Sequence, residues 1–375
     1  MLVAFNLRAP IAGVGPLLPL MQGELGLSRA SAGLLTTLPV LCFGGLSAAA
    51  SMLGNRIGSE RTLVFAMLTM TAGSVLRLMG GAPCLFVGTI VIGSSITVGN
   101  VLVPGIIKQD FGAKSGLVTG VYTAVLISGA AMASAISAPL AHGAGIGWRG
   151  SLLVWAAPQL LAAVVWVPSL RQPRRPRPPA AKSGSASVLL RSRVTWGLAV
   201  FMGSQSLTYF AVLAWLPALL QDHGVAASHA GGALALFNVL GIGTALVMPS
   251  LAARCTDQRA LALSISLAWG IGIGGLLVAP EAYWVWASVA GLAQGASLSL
   301  AFALMVLRAR TPEVARGLSG TVQSLGYLIG ATGPFTLGAL RDATPSWTAP
   351  LLTLLAVVVT MAMGAWQAGK NVTVG

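Results

Sequence analysis

Charge is scarce in this sequence. Aspartate and glutamate together number eight in 375 residues, and charged residues of both signs make up only 8%. A soluble protein carries about a quarter charged residues. The acids are Glu24, Glu60, Asp110, Asp222, Asp257, Glu281, Glu313 and Asp342, all at loops or helix ends. No carboxylate stands in the middle of an apolar run, which argues against a buried carboxylate proton relay. Histidine is rarer still: His142, His223 and His229 lie at loop edges and suggest no metal cluster. Cys42, Cys84 and Cys255 fall in or near different apolar segments without CxxC spacing, which argues against a zinc site or a disulfide framework. A membrane enzyme is disfavoured too, since no mid-span cluster offers acid–base chemistry. No cofactor and no metal are expected, and the first apolar stretch lacks the basic lead and cleavage site of a signal peptide.

What is present is apolar length. The chain is 55% hydrophobic with a mean hydropathy of +0.84. A bilayer crossing needs about 20 apolar residues. Reading apolar runs against punctuation predicts twelve helices, over 2–22, 30–53, 61–80, 84–107, 116–141, 148–168, 194–220, 229–252, 260–279, 282–307, 316–340 and 347–368. The expected fold is an all-α membrane protein of two six-helix bundles, residues 1–168 and 194–375. A Pro- and Arg-rich linker at 169–193 joins them. Its core, RQPRRPRPPAAKSGSAS, reads as an extended, solvated tether; a docking site for a partner is the other reading.

The net charge of +14 comes from 22 lysines and arginines, and their placement explains it. With the N-terminus cytoplasmic, 17 of the 22 fall in inside loops: Arg56, Arg61, Lys108, Lys114, seven between 171 and 193, Arg254, Arg259, Arg308, Arg310, Arg316 and Lys370. Only Arg29, Arg77, Arg149 and Arg341 fall at outside edges. This bias predicts a multi-pass protein of the cell inner membrane with both termini inside. It removes the need for nucleic acid as a partner, because such charges lie near anionic lipid.

The halves repeat. At an offset of 198 residues, Leu18-Pro19 meets Leu216-Pro217, Gly26 meets Gly224, Ala32-Gly33 meets Ala230-Gly231, Arg56 meets Arg254 and Arg61 meets Arg259. At 201, Gly116-Leu117 and Gly129 meet Gly317-Leu318 and Gly330. Parallel six-helix repeats about an axis along the membrane normal belong to one major transporter architecture.

Arg8, in LRAPIAGVGPLLPLM, is the cation set deepest into an apolar segment. A charge at mid-span costs roughly 2.5–3.5 kcal/mol on insertion scales. Two readings are open: a substrate-facing cation on a cavity-lining helix, or an arginine snorkelling to the inner interface. Pro10, Gly13, Gly15 and Pro16 weaken regular helix bonding there, and irregular backbone at membrane depth is tolerated where it lines a cavity. A bound anion would balance the charge that no mid-span carboxylate balances. Arg77, at the outer end of the third helix, reads better as a snorkelling residue.

The loop SMLGNRIGSER (51–61) resembles the signature of the major facilitator superfamily through Leu53, Arg56, Gly58 and Arg61, with Asn55 in place of the usual Asp. The second-half copy keeps Arg254 and Arg259 and has Ala253 at the Asp position. The resemblance implies a gating role for Asn55, Arg56, Arg61, Arg254 and Arg259; plain positive-inside charge is the alternative. A closer resemblance covers residues 6–123. NLRAPIAGVGPLLPLM, GLSRASAGLLTTLPVLCFG and NVLVPGIIKQDFGAKSGLVTGVYT are similar to the cyanate/2-nitroimidazole transporter family of that superfamily. That family motif takes in Lys108 and Asp110, for which a gate role and a local ion pair are both open. The family implies secondary transport of a small molecule, small anions included.

Polar residues inside the spans add candidates: Asn100, Tyr122, Gln205 with Tyr209 at i,i+4, Asn238, Gln294, and Gln323 with Tyr327 at i,i+4. Each has the alternative of interhelical glue. The resemblance implies that helices one, four, seven and ten line the cavity. This favours Asn100, Gln205, Tyr209 and Gln294 beside Arg8, and leaves Tyr122, Asn238, Gln323 and Tyr327 behind them. Gly270-x-Gly272-x-x-Gly275 matches a dinucleotide fingerprint without the preceding strand, so close helix packing explains it better.

The expectation is a monomeric secondary transporter of a small molecule, a small anion such as cyanate, by alternating access in a lipid bilayer. The alternative is export of small neutral aromatic compounds such as 2-nitroimidazole. A third reading, a non-transporting sensor or scaffold, lacks any soluble domain to support it.

Overall fold

The computed structural model describes residues 1–111, 115–171 and 189–374; most of the predicted linker lies outside them. Twelve helical segments appear among the described residues. They are α1 (Leu2–Leu25, in pieces), α2 (Arg29–Ile57), α3 (Ser59–Leu76), α4 (Ala82–Phe111), α5 (Ser115–Ala138) and α6 (Gly147–Leu153 then Ala156–Trp166). The second set is α7 (Arg193–Asp222), α8 (Ala227–Arg254), α9 (Arg259–Val278), α10 (Tyr283–Leu307), α11 (Pro312–Ala343) and α12 (Thr348–Ala368). Ten of them are long and apolar enough to cross a membrane. The other two have local causes: α3 opens on Ser59, Glu60 and Arg61, and α11 is diluted by Ser, Thr, Gly and Gln. Each helix runs within a few residues of its predicted span. Most extend slightly beyond it, because helical hydrogen bonding continues past the last apolar residue.

The exposed faces are apolar. Val278, Leu267, Val306, Met363, Val247 and Phe65 are all well exposed. Arg8, Arg77, Arg308, Gln159, Gln294 and Asn238 are buried. Inverted in this way, the polypeptide needs lipid as its solvent, and the chain is a multi-pass membrane protein.

The chain divides into two compact units, Met1–Arg177 with Leu213–Ala235, and Pro178–Val212 with Leu236–Gly375. In the first, α3 packs on α4 and α6, α2 on α4, and α1 on α5 and α6. In the second, α9 packs on α10 and α12, and α11 on both. The pairing α3 with α4 and α6 thus recurs as α9 with α10 and α12.

The repeat is visible at atomic detail. Gly26 and Gly224, 198 apart, both take positive φ (62° and 83°) where α1 and α7 end, a backbone that glycine adopts without steric penalty. A Cβ on Gly129 of α5 would lie 2.2 Å from Phe5 O on α1. A Cβ on Gly330 of α11 would lie 2.7 Å from Ser206 Cβ on α7. Both members of that contact are offset by 201 residues. By that contact the start of α1 corresponds to α7 at an offset of 201, which sets Arg8 opposite Tyr209 in the alignment, while the helix ends at Gly26 and Gly224 keep the offset of 198.

Two glycines of the α9 triplet, Gly272 and Gly275, are close-packing positions, while Gly270 makes only an ordinary contact. A Cβ on Gly272 would come 2.9 Å from Ala290 Cβ, and one on Gly275 would enter the Trp286 ring at 2.1 Å.

Candidate functional site

The first helix is broken where its sequence says it should be. Leu2–Asn6 is α-helical, Arg8 leaves the helical region (φ −124°, ψ −31°), Ala9–Ala12 forms one turn, and Gly15–Leu17 is 3₁₀ before Leu18–Leu25 resumes. Pro10 brings no N–H, so the Asn6 carbonyl loses its helical donor. Val14 N donates to Ile11 O and Gly13 N to Ala9 O, which passes over the Pro10 carbonyl. That carbonyl accepts from Arg77 Nη1 at 3.2 Å.

Arg8 caps the short turn and is 7% exposed, with its guanidinium carbon 5.9 Å from the Phe43 ring centroid on α2. The side chain is held inside protein against an aromatic face, a favourable setting for a cation. Asn100 is half-buried on α4, four residues before Pro104. Tyr122 is buried on α5.

Arg77 corrects its sequence reading. It is 1% exposed at the C-terminal cap of α3 and points at the break in α1, so it does not snorkel. Its neighbour across the helix pair is Gly88, whose Cβ would meet Arg77 N and Cβ at 2.6 Å. Only glycine at 88 leaves room for the arginine backbone. Nothing in SVLRLMGG distinguishes a buried arginine from an interfacial one, because the distinction depends on a carbonyl freed 67 residues earlier.

The mid-span candidates of the second unit are neutral. Tyr209 Oη donates to Asn238 Oδ1 at 3.3 Å, and its ring stacks on Phe237 with centroids 6.0 Å apart. Gln205 turns back on its own helix, Nε2 donating to Ser206 Oγ at 2.8 Å. Gln294 projects from α10 against Gly241 of α8, where a Cβ would lie 1.8 Å from its Nε2. The same crossing is so close that a Cβ on Gly295 would lie 1.9 Å from Gly241 O. The structure thus joins Tyr209 to Asn238 and leaves Gln205 and Gln294 in separate settings. Gln323 and Tyr327 are half-buried on α11.

The predicted gating residues differ in setting. Arg56, Arg61 and Asp110 are exposed, and the side chains of Asn55 and Lys108 lie outside the described residues. Arg254 is exposed, whereas Arg259 is held. Arg259 donates to Asp257 through Nε (2.8 Å) and Nη2 (2.6 Å), and its guanidinium carbon lies 4.7 Å from the centroid of the Trp366 ring. These bonds hold the Asp257 carboxyl below the ordinary aspartate range.

Beside this pair, buried Arg308 donates to Ala368 O (2.9 Å), Gly369 O (2.9 Å) and Gln258 Oε1. Gln258 Nε2 passes the network on to Ala252 O and Cys255 O. Burial presses the Arg308 pKa down and Asp257 pulls it back. Charge counting places Arg308 at a helix end, but not in this interior. A cleft of about 570 Å³ lies between Ala138–Gly143 and Ala227–Ser228, and no candidate residue lines it.

Apolar faces turned outward around buried arginines and amides, in two related sets of helices, are the organisation of a membrane transporter. The family model of the Major Facilitator Superfamily matches residues 1–334, and the chain belongs to that superfamily. It is 37% identical over 371 residues to an uncharacterized transporter, YycB, of Bacillus subtilis, covering 98% of this chain and 92% of that one. It is 35% identical over 371 residues to the 2-nitroimidazole transporter of Escherichia coli (99% and 94% covered). With the cyanate transport protein CynX of Escherichia coli it shares 29% over 351 residues (92% and 90%). Among solved structures, the nucleoside transporter NupG superposes with a TM-score of 0.80 at 13% identity, covering 98% of each chain. A bacterial homologue of the lysosomal transporter Spinster gives 0.79 at 16% identity (98% and 94%). These structural likenesses concern the fold.

Proposed function

We propose that this chain is a secondary transporter that moves a small anion such as cyanate across the cell inner membrane by alternating access, with both termini cytoplasmic. The observation that carries the proposal is Arg8. It is a buried cation at a helix break, fixed by an irregular backbone that the membrane tolerates only where protein or a cavity surrounds it. In this reading Arg8 supplies the positive charge, with Asn100 as a hydrogen-bonding neighbour on the same unit. Gln205, Tyr209 and Gln294 supply neutral polar contacts. The loop charges Arg56, Arg61, Arg254, Arg259, Lys108 and Asp110, with Asn55, act in gating. The names of the relatives support a small substrate, and the distribution of lysine and arginine supports the orientation.

A second reading has its own observation. Tyr209 stacks on Phe237 and meets Phe210 edge-on with centroids 5.0 Å apart, an aromatic surface suited to a flat neutral heterocycle. In that reading Arg8 acts as a hydrogen-bond donor to a compound such as 2-nitroimidazole.

The test is uptake of labelled cyanate and labelled 2-nitroimidazole into liposomes holding wild type or Arg8→Ala, with and without a pH gradient. Saturable cyanate uptake that Arg8→Ala strongly lowers is expected. Undiminished cyanate uptake by the variant removes the anion reading, and saturable transport of the neutral compound alone moves the assignment to the second.

A further inference from the structure

Four buried side chains of the first unit surround the Pro10–Gly13 stretch of α1, and each leaves a donor without a partner among the described residues. They are Arg77 (Nε and Nη2), Trp155 (Nε1), Gln159 (Nε2) and Ser137 (Oγ). Short contacts place Arg77, Ser137 and Trp155 against this stretch, and Gln159 adjoins them through Ser74. Arg77 Nη1 reaches Pro10 O at 3.2 Å. One turn along α1, the position a Cβ would take on Gly13 lies 2.9 Å from Ser137 Oγ and 3.3 Å from Trp155 Nε1. Trp155 and Gln159 stand four residues apart on one face of α6. Gln159 Oε1 accepts from Ser74 Oγ at 2.9 Å, and Ser74 is the residue three before Arg77. Helices α3, α5 and α6 thus aim their donors at one segment of a broken helix.

The chemistry of the set is one-sided. Arg77 brings a full positive charge that a guanidinium does not lose in proteins. Every orphaned atom around it is an N–H or a hydroxyl able to donate. Buried donors left unmatched are strongly disfavoured, and a buried charge more so. A water could donate to Ser137 Oγ while accepting from the others, but it would leave the buried Arg77 charge uncompensated. A monovalent anion accepts from all of them and cancels the charge. The orphaned acceptor of the region, Asn6 Oδ1, lies a full turn earlier on α1, where Nδ2 of the same side chain reaches Pro158 O.

We propose that Arg77, Trp155, Gln159 and Ser137 form a binding site for a small inorganic anion of chloride size, held against Pro10–Gly13 inside the first unit. The site is separate from the one built on Arg8. The anion's role is to neutralise Arg77 and to fix the broken segment of α1 to α3, α5 and α6.

The experiment is thermal unfolding of detergent-solubilised protein in chloride, bromide or gluconate at constant ionic strength. Crystals grown in bromide and examined by anomalous scattering give the position. Wild type is expected to gain a saturable rise of a few degrees in Tm with either halide over gluconate, and a bromide peak within hydrogen-bonding reach of Arg77 and Trp155. Arg77→Gln is expected to lose the halide dependence, and Arg8→Ala to keep it. Should Arg77→Gln fail to fold, Gln159→Glu decides. Its carboxylate replaces the anion, so that variant holds the halide-bound Tm in gluconate and no longer responds to halide. A wild type indifferent to halide, a dependence that survives in both Arg77→Gln and Gln159→Glu, or bromide found only at the protein surface overturns the proposal.

Discussion

The first helix of each half begins from related sequence and ends as a different object. In α1, Arg8, Pro10, Gly13, Gly15 and Pro16 break the ladder into pieces. In α7, whether the offset is 198 or 201, the positions of Pro10, Gly13 and Gly15 hold Thr208 or Ala211, Ala211 or Ala214, and Leu213 or Leu216, and the helix runs unbroken from Arg193 to Asp222. The next pair of helices repeats the contrast. Arg77 faces Gly88 between α3 and α4, and 198 residues on, Gly275 faces Trp286 between α9 and α10. One large and one small residue fill each crossing, with their places exchanged. The comparison teaches that the repeat preserves punctuation and volume but not chemistry. At these aligned positions the first half carries arginine and irregular backbone, while the second half carries tyrosine, glycine and aromatic rings; the buried Arg308 of the second half lies outside this correspondence.

The largest effect should come from breaking that volume balance. Gly88→Trp places a second large residue against Arg77, beyond the 1–3 kcal/mol (roughly) that ordinary overpacking costs, and should yield no folded protein on size-exclusion chromatography. Arg77→Gly with Gly88→Trp copies the second-half arrangement and should recover a monodisperse peak. If the double variant is no better than the single, the two crossings are not equivalent. Next in size is the charge itself. Arg8→Ala should lower cyanate transport by about 10–100-fold, the equivalent of the roughly 1.5–3 kcal/mol of a charged hydrogen bond. The variant should still unfold cooperatively.

A smaller effect belongs to the counterpart of Arg8. Tyr209→Phe removes one 3.3 Å bond to Asn238 and leaves the ring on Phe237, so Tm should fall only slightly, in keeping with about 0.5–1.5 kcal/mol. A transport loss as large as that of Arg8→Ala would make the halves chemically equal partners after all. The smallest effect is a pH dependence. The Asp257 carboxyl is depressed by Arg259, so their pairing stabilises the protein above the ordinary aspartate range and is lost as pH falls through the depressed value. The Tm difference between wild type and Asp257→Asn should be present at neutral pH and close in acid; a difference independent of pH would assign it to packing.

Periodic apolar length made the twelve helices legible, because a lipid solvent allows few other structures. The break in α1 was legible for the same kind of reason, since proline and glycine act locally. The fate of individual arginines was not. Arg77 and Arg149 both stand near helix ends in the sequence. Yet Arg149 pairs on the surface with Glu24, while Arg77 turns inward to a carbonyl that exists only because Val14 bonded elsewhere. Arg308 was hidden likewise, since its acceptors come from the far end of α12. Gln159 was within reach: an amide inside AAPQLLAAVV carries the same signal as Gln205 and Gln294.

The Arg308 network also sets a clock on assembly. Its acceptors at Ala368 and Gly369 lie 60 and 61 residues further along the chain. At a synthesis rate of roughly 5–20 residues per second, the guanidinium waits about 3–12 s before those carbonyls exist. Until then α10 has reached the bilayer with a cation that the finished protein buries. Formation of α12 therefore lets the loop after α10 close, and a ribosome stalled before α12 would leave that loop open to quality-control proteases.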